Sequence, residues 1–217
     1  MRLAHSDEAT LIDLHKSIAE AGLVRGSSGN ASFCEVGVER TVWIKASGVR
    51  CSEVTGEDLV PVDLKTGQRL SNDRHPSTDL PLHMCIYNAA DYVRFVIHTH
   101  SFYAALYSIY GETLYPYVTG TAEAFNDGVP CLGFSADRAV LAASLEATIA
   151  TGCQACLLER HGALVWGNSW SQALNFAELL EWSARMAVAA RCAGLSAMSS
   201  SQIAEYSEWY NKNYQRT

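Results

Sequence analysis

Two histidines separated by one residue, His98 and His100, are the first side chains in this sequence that could do chemistry. They follow a β-branched and aromatic run, residues 92–97, that is typical of a buried strand. Side chains in a strand alternate between its faces, so both imidazoles should point the same way. Neutral imidazole is a common ligand of divalent metals, although two polar residues at a strand end are also ordinary. The pair alone does not decide between these interpretations.

A third histidine, His161, follows another apolar run, residues 156–159, which also indicates a buried strand. An imidazole from a neighbouring strand would complete a three-histidine site with one open position. That arrangement is typical of a catalytic metal rather than a structural one. The adjacent Gly162 would let backbone approach closely. We therefore predict that His98, His100 and His161 share a metal ion.

Three turns rich in small polar residues could supply hydrogen-bond donors to an anion. Backbone N–H groups and hydroxyls bind phosphate even in a protein without a positive net charge. Each turn alone is typical of an ordinary turn, so the interpretation depends on the fold bringing them together. The turn residues are Gly29, Asn30, Ser47, Gly48, Ser77 and Thr78.

The composition argues against nucleic-acid and membrane partners. The formal net charge is −7 and no basic stripe is present, which argues against a nucleic-acid partner. No apolar run approaches the roughly 18 residues that span a membrane, and residues 1–8 lack the apolar core of a signal peptide. Seven irregularly spaced cysteines are typical of reduced thiols in a cytoplasmic protein. Cys153 and Cys156 have chelating spacing, but in a strand they would face opposite sides, so we interpret them as buried thiols.

Hydrophobic periodicity predicts strands and helices mixed along all 217 residues. Strands are expected at 31–36, 41–45, 59–64, 92–97, 114–118, 129–132, 156–159 and 163–166, and a loop at 120–128. Helices are expected from a Ser6 cap to residue 21, around 82–89, at 102–109 and 137–150, from a Ser169 or Ser171 cap to about 192, and in the tail. No repeat or linker interrupts the pattern. We predict one α/β domain, residues 1–217, with a mixed sheet and helices on both faces. His15 lies on an apolar helix face and is predicted to be a packed core residue.

Taken together, five segments resemble the class II aldolase/adducin family. They are GSSGNASF at 26–33, IKASGV at 44–49, PSTDLPLH at 76–83, VIHTHS at 96–101 and LLERHGALVWG at 157–167. Their order and spacing cover nearly the whole chain, and its length is similar to that of a fuculose-phosphate aldolase subunit. The joint pattern is specific to the family and much less specific to one reaction.

The resemblance implies a central, largely antiparallel sheet flanked by helices. It also implies a zinc-type metal on the three histidines, with Mn²⁺ or Co²⁺ as alternatives, and a phosphate pocket in the three turns. The assembly would be a cytoplasmic homotetramer with active sites between subunits. No nucleic acid or membrane partner is expected.

One departure from the family pattern concerns Asp79. The aldolases carry Glu at this position as acid/base, whereas the ribulose-phosphate 4-epimerases carry Asp, which also touches the metal. Those epimerases use a second Asp after a TGT segment, where this chain has Glu123 as an approximate match. Tyr117 and one of the tail tyrosines resemble the family's catalytic phenols. The tail candidates are Tyr206, Tyr210 and Tyr214, among which the sequence does not choose; Tyr210 is our working candidate.

The implied function is a metal-dependent, aldolase-type lyase acting on a small sugar phosphate or related oxo-acid. It would cleave or form a carbon–carbon bond through a metal-stabilised enediolate, while a carboxylate and a phenol move protons. The alternatives are a sugar-phosphate 4-epimerase and a decarboxylase of the same family. A non-catalytic adducin-type scaffold would be expected to lack the metal histidines and is the least favoured.

Overall fold

The computed structural model describes residues 3–35, 37, 40–71, 73–125 and 128–213. The strands within these ranges are β1 (Asn30–Cys34), β2 (Thr41–Lys45), β3 (Leu59–Asp63), β4 (Phe95–Thr99), β5 (Cys131–Leu132), β6 (Ala155–Leu158) and β7 (Gly162–Gly167). The helices are α1 (His5–Glu20), α2 (Leu80–Ala89), α3 (Phe102–Ser108), α4 (Thr119–Ala124), α5 (Arg138–Ala150), α6 (Trp170–Cys192) and α7 (Ser200–Asn213). None of these helices is both long enough and apolar enough to cross a membrane.

All seven strands join one sheet in the order β3-β2-β1-β4-β7-β6-β5. Every neighbouring pair is antiparallel except β5 and β6, which are parallel. The predicted mixed, largely antiparallel sheet is therefore confirmed. β4 lies in the middle, where His98 is opposite Asn30 of β1 on one side and Leu164 of β7 on the other. The end of this central strand is surrounded by structure on both sides, which suits it to hold a rigid site.

Helices cover both faces of the sheet, as predicted. One core contains Leu14 of α1, Ile97 of β4 and Leu180 of α6. The other contains Val96 of the same strand and side chains of α2 and α5, among them Ile86 and Leu145. Because strand residues alternate between faces, His98 lies on the same face as Val96. The α2 and α5 helices are therefore the ones that can bring partners to His98.

The structure confirms one predicted helix cap, adds one that was not predicted, and contradicts another. Ser169 caps α6 by accepting a hydrogen bond from the backbone N–H of Gln172, so it, and not Ser171, fills the predicted role. Asp137 caps α5 in the same way, accepting from Ala139. The predicted Ser6 cap is wrong, because α1 begins at His5 and Ser6 lies inside its first turn.

The segment between residues 114 and 128 differs most from the prediction. The expected strand at 114–118 is reduced to a single bridge between Leu114 and Val129. The expected loop contains α4, whose Thr121 and Ala122 are buried and which packs against α6 and α7. Tertiary packing thus stabilises a short helix that its glycine and threonines disfavour locally. Val36, predicted as a strand end, and Tyr214 lie outside the described residues.

Candidate metal centre

Three imidazoles converge at the end of β4. His98 belongs to that strand, His100 follows it immediately, and His161 precedes β7, which pairs with β4. Their ring centroids are 4.6, 4.7 and 4.8 Å apart, and Nε2 of His98 lies 2.9 Å from Nε2 of His100. One ring nitrogen from each histidine lies within 4.8 Å of the others. Among the described residues this is the one cluster of three such groups that could hold a metal ion.

The hydrogen bonding and charge of the cluster fit a zinc-type cation. Nδ1 of His98 is 2.9 Å from the carbonyl oxygen of Ala163, which can only accept. Nδ1 therefore carries the proton, and Nε2 keeps its lone pair for a metal. Burial lowers the pKa of all three imidazoles, that of His100 to about 4. The cluster thus offers three neutral nitrogen donors at neutral pH, the donor set that divalent zinc prefers.

Glycines permit the close backbone contacts that bring the histidines together. A Cβ on Gly162, next to His161, would clash with the carbonyl oxygen of Thr99. A Cβ on Gly29 would lie 2.9 Å from the carbonyl oxygen of His98, and this glycine also has a left-handed φ of 72°. Both positions therefore require glycine, which supports the expected close approach beside His161.

Asp79 lies beside the cluster, at the start of α2. Its Oδ2 is 3.6 Å from Nε2 of His98 and 3.4 Å from the donating Nδ2 of Asn30. Its Oδ1 accepts a hydrogen bond of 2.9 Å from Nε of Arg138. Burial works to raise the pKa of Asp79, but nearby positive charge, of which Arg138 is the permanent part, holds that pKa below its usual range. Since His98 is neutral, Arg138 is the lasting positive charge, and Asp79 is an ionised carboxylate able to act as ligand or base.

The three polar turns are neighbours in the fold. Ser47 N–H donates to the carbonyl of His75 at 2.9 Å, and Ser77 N–H donates to the carbonyl of Lys45 at 3.0 Å. The amide of Asn30 donates to Oγ of Ser77 at 3.0 Å, which links the first turn to the third. Gly29, Asn30 and Ser77 are buried, whereas Ser47, Gly48 and Thr78 are exposed. Asn30 and Ser77 thus lie beside Asp79, while Ser47, Gly48 and Thr78 are open to solvent; that the three turns bind an anion stays a prediction.

The structure also brings three residues to this end of the sheet that sequence reasoning did not assign to the site. Arg138 is 59 positions from Asp79, and no local pattern connects them. Lys45 is buried beneath the turns, where its Nζ donates to the carbonyls of Ser27 and Val49. Nδ1 of His83 is 2.7 Å from Oγ of Ser32, and burial lowers its pKa to about 3. His83 lies within the helix predicted around 82–89, but no local pattern indicates that it lies near the metal cluster.

The remaining predicted residues lie in other parts of the chain. Glu123 of α4 accepts a short hydrogen bond from the hydroxyl of Tyr210 of α7. Among the described residues, Glu123 makes no hydrogen bond or ion pair with the histidine cluster. Tyr117 is half-buried and lines an open cavity with Tyr107 and Arg191. The cluster is therefore assembled within the chain without these three predicted residues.

The cysteines form no disulfide. All seven are free thiols, and Cys156 is fully buried in β6. Cys153 lies outside the strand and contacts the hydroxyl of Thr151. Cys153 and Cys156 are therefore free thiols that are not part of the histidine cluster.

Comparison with known proteins gives consistent results. The family model described as the class II aldolase and adducin N-terminal domain matches residues 9–188. The probable L-ribulose-5-phosphate 4-epimerase UlaF of Mycoplasma pneumoniae is 29% identical over 181 residues, covering 77% of this chain and 74% of the relative. The 5-deoxy-D-ribulose 1-phosphate aldolase of Bacillus thuringiensis is 28% identical over 188 residues, covering 85% of each. A solved L-fuculose 1-phosphate aldolase has the same fold, with a TM-score of 0.85 at 24% identity over 97% of this chain and 98% of that one.

Proposed function

The chain belongs to the class II aldolase and adducin family, and from this premise we propose that it is a metal-dependent carbon–carbon lyase of the aldolase type. Its substrate is a small sugar phosphate or a related oxo-acid. The observation that carries the proposal is the convergence of three imidazoles beside the carboxylate of Asp79. An aldolase is among the relatives of similar length, which supports this reaction class.

His98, His100 and His161 would hold the metal, most simply Zn²⁺, with Mn²⁺ or Co²⁺ as alternatives. A divalent ion there would supply electrophilic stabilisation of negative charge that develops on substrate oxygens. The Ala163 carbonyl keeps His98 in the required tautomer.

Asp79 is the proposed proton acceptor. It is ionised, and it lies between the histidine cluster and Asn30. A carboxylate in this position can take a proton from a substrate hydroxyl or carbon during bond cleavage, or contact the metal at rest. Asn30 and Ser77, with the exposed Ser47, Gly48 and Thr78 and the buried Gly29, would bind the phosphate through hydroxyl, amide and backbone donors.

The second candidate is a sugar-phosphate 4-epimerase. Two observations favour it: position 79 is Asp rather than Glu, and a relative that aligns with most of the chain is named as such an epimerase. A decarboxylase would use the same cluster on an oxo-acid.

We also propose a cytoplasmic homotetramer, with residues 1–217 forming one class II aldolase/adducin-like domain. Active sites between subunits would allow Tyr117, Glu123 and Tyr210 of one chain to act at the cluster of another. The contact between Glu123 and Tyr210 supports a joint role for these two. The free cysteines are consistent with a reducing compartment. Neither nucleic acid nor membrane is proposed as a partner.

The test is product analysis with zinc-loaded protein and ketose phosphates of five and six carbons. Two-carbon and three-carbon fragments from the wild type would support the lyase, whereas an intact epimeric ketose would support the epimerase. Asp79→Asn keeps the shape and removes the charge, and it should abolish either reaction. Unchanged turnover in this variant would show that the proton transfer lies elsewhere, with Glu123 or a tail tyrosine as the next residues to replace.

A further inference from the structure

Arg138 presents an unused hydrogen-bonding edge beside the metal cluster. Its Nε donates a hydrogen bond of 2.9 Å to Oδ1 of Asp79. Within the described ranges its two terminal nitrogens have no hydrogen-bond partner. The side chain is 27% exposed, so this edge is partly withdrawn from water. Two parallel N–H donors on a planar fork match the two oxygens of a carboxylate.

This edge borders a cavity of about 300 Å³ next to the metal cluster. The residues that matter here are Phe134, Arg138, Leu141, Glu159, Arg160 and His161, and we call this space the His161 cavity. It contains two cationic side chains and one acidic side chain, Glu159. One oxygen of Glu159 already accepts from the N–H of Phe134, and the other lies 3.5 Å from Arg160. Both arginines are thus already paired with a carboxylate, Arg138 with Asp79 and Arg160 with Glu159, so the preference of the cavity for an anion rests on the free terminal N–H donors of Arg138 and not on net charge.

Arg160 occupies an unusual backbone conformation at the edge of this cavity. Its φ is 58°, the left-handed region that a side chain such as arginine rarely adopts. The turn that contains it delivers His161 to the cluster, with His161 N–H donating to the carbonyl of Leu158. This turn also places the Arg160 guanidinium, a second positive charge, at the edge of the His161 cavity.

The two anion-binding regions lie on opposite sides of Asp79. Asn30 and Ser77 approach from the polar turns, and Arg138 approaches from the His161 cavity. A substrate whose reacting carbons lie at the histidine cluster would thus extend toward a phosphate site at one end and toward Arg138 at the other.

We infer that Arg138 binds a carboxylate of the substrate in the His161 cavity, assisted by the charge of Arg160. The preferred substrate is accordingly a phosphorylated sugar acid or oxo-acid rather than a neutral ketose phosphate. The inference rests on the proposed function, because it assumes that the reacting carbons lie at the histidine cluster. It narrows the substrate class without choosing between cleavage and decarboxylation.

The test uses two four-carbon probes that differ in one group. 4-Phosphoerythronate ends in a carboxylate, and erythritol 4-phosphate ends in a hydroxymethyl group. Their affinities are measured by isothermal titration calorimetry with zinc-loaded and metal-free protein. We expect the wild type to bind the acid at least about 10-fold more tightly than the alcohol. We expect Arg138→Met to weaken acid binding by about 10- to 100-fold while alcohol binding changes little.

Matched variants separate carboxylate binding from other effects. Arg185→Met removes an exposed arginine of α6 that packs over Tyr103 and should leave both affinities unchanged. Arg138→Lys keeps the positive charge and is the variant to use if Arg138→Met does not fold. Lysine cannot form the two-pronged contact, so most of the preference for the acid should still be lost.

Several results would overturn the inference. Equal affinity of the wild type for the two probes would contradict it. An equal loss of both affinities in Arg138→Met would also contradict it, because Arg138 would then act only by holding Asp79 in place. A preference that disappears without zinc but survives Arg138→Met would assign the carboxylate to the metal. If neither phosphorylated probe binds, the phosphate part of the proposed function fails instead. The same comparison with erythronate and erythritol then tests Arg138 independently of phosphate.

Discussion

His15 and His98 are both completely buried imidazoles next to β1, but their second ring nitrogens have different surroundings. In His15, Nδ1 donates to the carbonyl of Leu11 at 2.7 Å, and Nε2 accepts from the N–H of Ala31 at 3.0 Å. Both nitrogens are used by backbone groups. In His98, only Nδ1 is bound to backbone, and Nε2 faces His100 and Asp79. Burial does not distinguish a structural histidine from a candidate ligand; the partner of the second nitrogen does.

The two histidines also differ in how far the sequence could predict their roles. Helical spacing places His15 among Leu11, Leu14 and Ile18, so a packed interpretation needs only local information. The i, i+2 spacing of His98 and His100 predicts that they face the same side, and the structure agrees. His161 could be added only as a third strand-end imidazole. The pairing of β4 with β7 then accounts for its place in the cluster.

What the sequence could not predict depends on long-range packing. The contact between Arg138 and Asp79 arises because α2 and α5 pack on the same face of the sheet. Residues 119–124 form α4 because α6 and α7 cover it, whereas their composition favours a loop. The first and last residues of most strands and helices were predicted within a few positions, because hydrophobic periodicity is a local property of the sequence. Hydrophobic periodicity does not predict which groups surround each titratable side chain.

The difference between His15 and His98 is tested most strongly by removing the imidazole of His98, a candidate metal ligand. His98→Ala should reduce zinc affinity by more than about 100-fold, because a direct ligand matters more than its hydrogen-bond partner. Activity should fall to background while the far-ultraviolet circular dichroism spectrum is retained, since a catalytic metal is not needed to hold this sheet together. His15→Gln should bind zinc as the wild type does. Full activity of chelator-treated wild type would refute the role of the cluster.

His15 should also contribute to the pH dependence of stability, as should the other buried histidines whose pKa is lowered. Burial lowers the pKa of His15 to about 4, whereas the unfolded chain has an ordinary value near 6.5. Above pH 6.5 both states are neutral at this site. As the pH falls toward 4 the unfolded state binds the proton first, so stability is lost.

When the pH falls from 7 to 5, His15 should lower the free energy of unfolding by about 2 kcal/mol. The measurement is urea denaturation at the two pH values. His15→Gln should show a decline smaller by that amount. His5→Gln, at an exposed position of α1, is the matched control and should decline like the wild type. An identical decline in His15→Gln would mean that this imidazole is not held neutral.

Gly162→Ala asks whether the cluster depends on the close contact between β4 and β7. The added Cβ would meet the carbonyl oxygen of Thr99, and overpacking of this kind costs roughly 1–3 kcal/mol. His161 is adjacent, so zinc affinity should fall as well. Gly133→Ala is the control, because a Cβ there meets nothing within 4 Å. Wild-type stability and zinc affinity in Gly162→Ala would show that the strands can separate without disturbing the cluster.

The smallest change in stability is expected at Arg160. This residue precedes His161 and has a strained backbone conformation, whereas His15 lies in a regular helix. Its φ of 58° costs arginine about 1–2 kcal/mol relative to a right-handed conformation, whereas asparagine tolerates it better. Arg160 and Glu159 are 3.5 Å apart, and the arginine side chain is 61% exposed, so this ion pair contributes little stability. Arg160→Asn should therefore raise the unfolding free energy by roughly 0.5–1 kcal/mol, with zinc affinity unchanged. Arg160→Ala loses the same guanidinium without gaining tolerance of the left-handed region, so it should not be stabilised. Both free energies of unfolding are measured by urea denaturation. Equal values for the two variants would show that backbone strain at residue 160 does not reduce the stability of the protein.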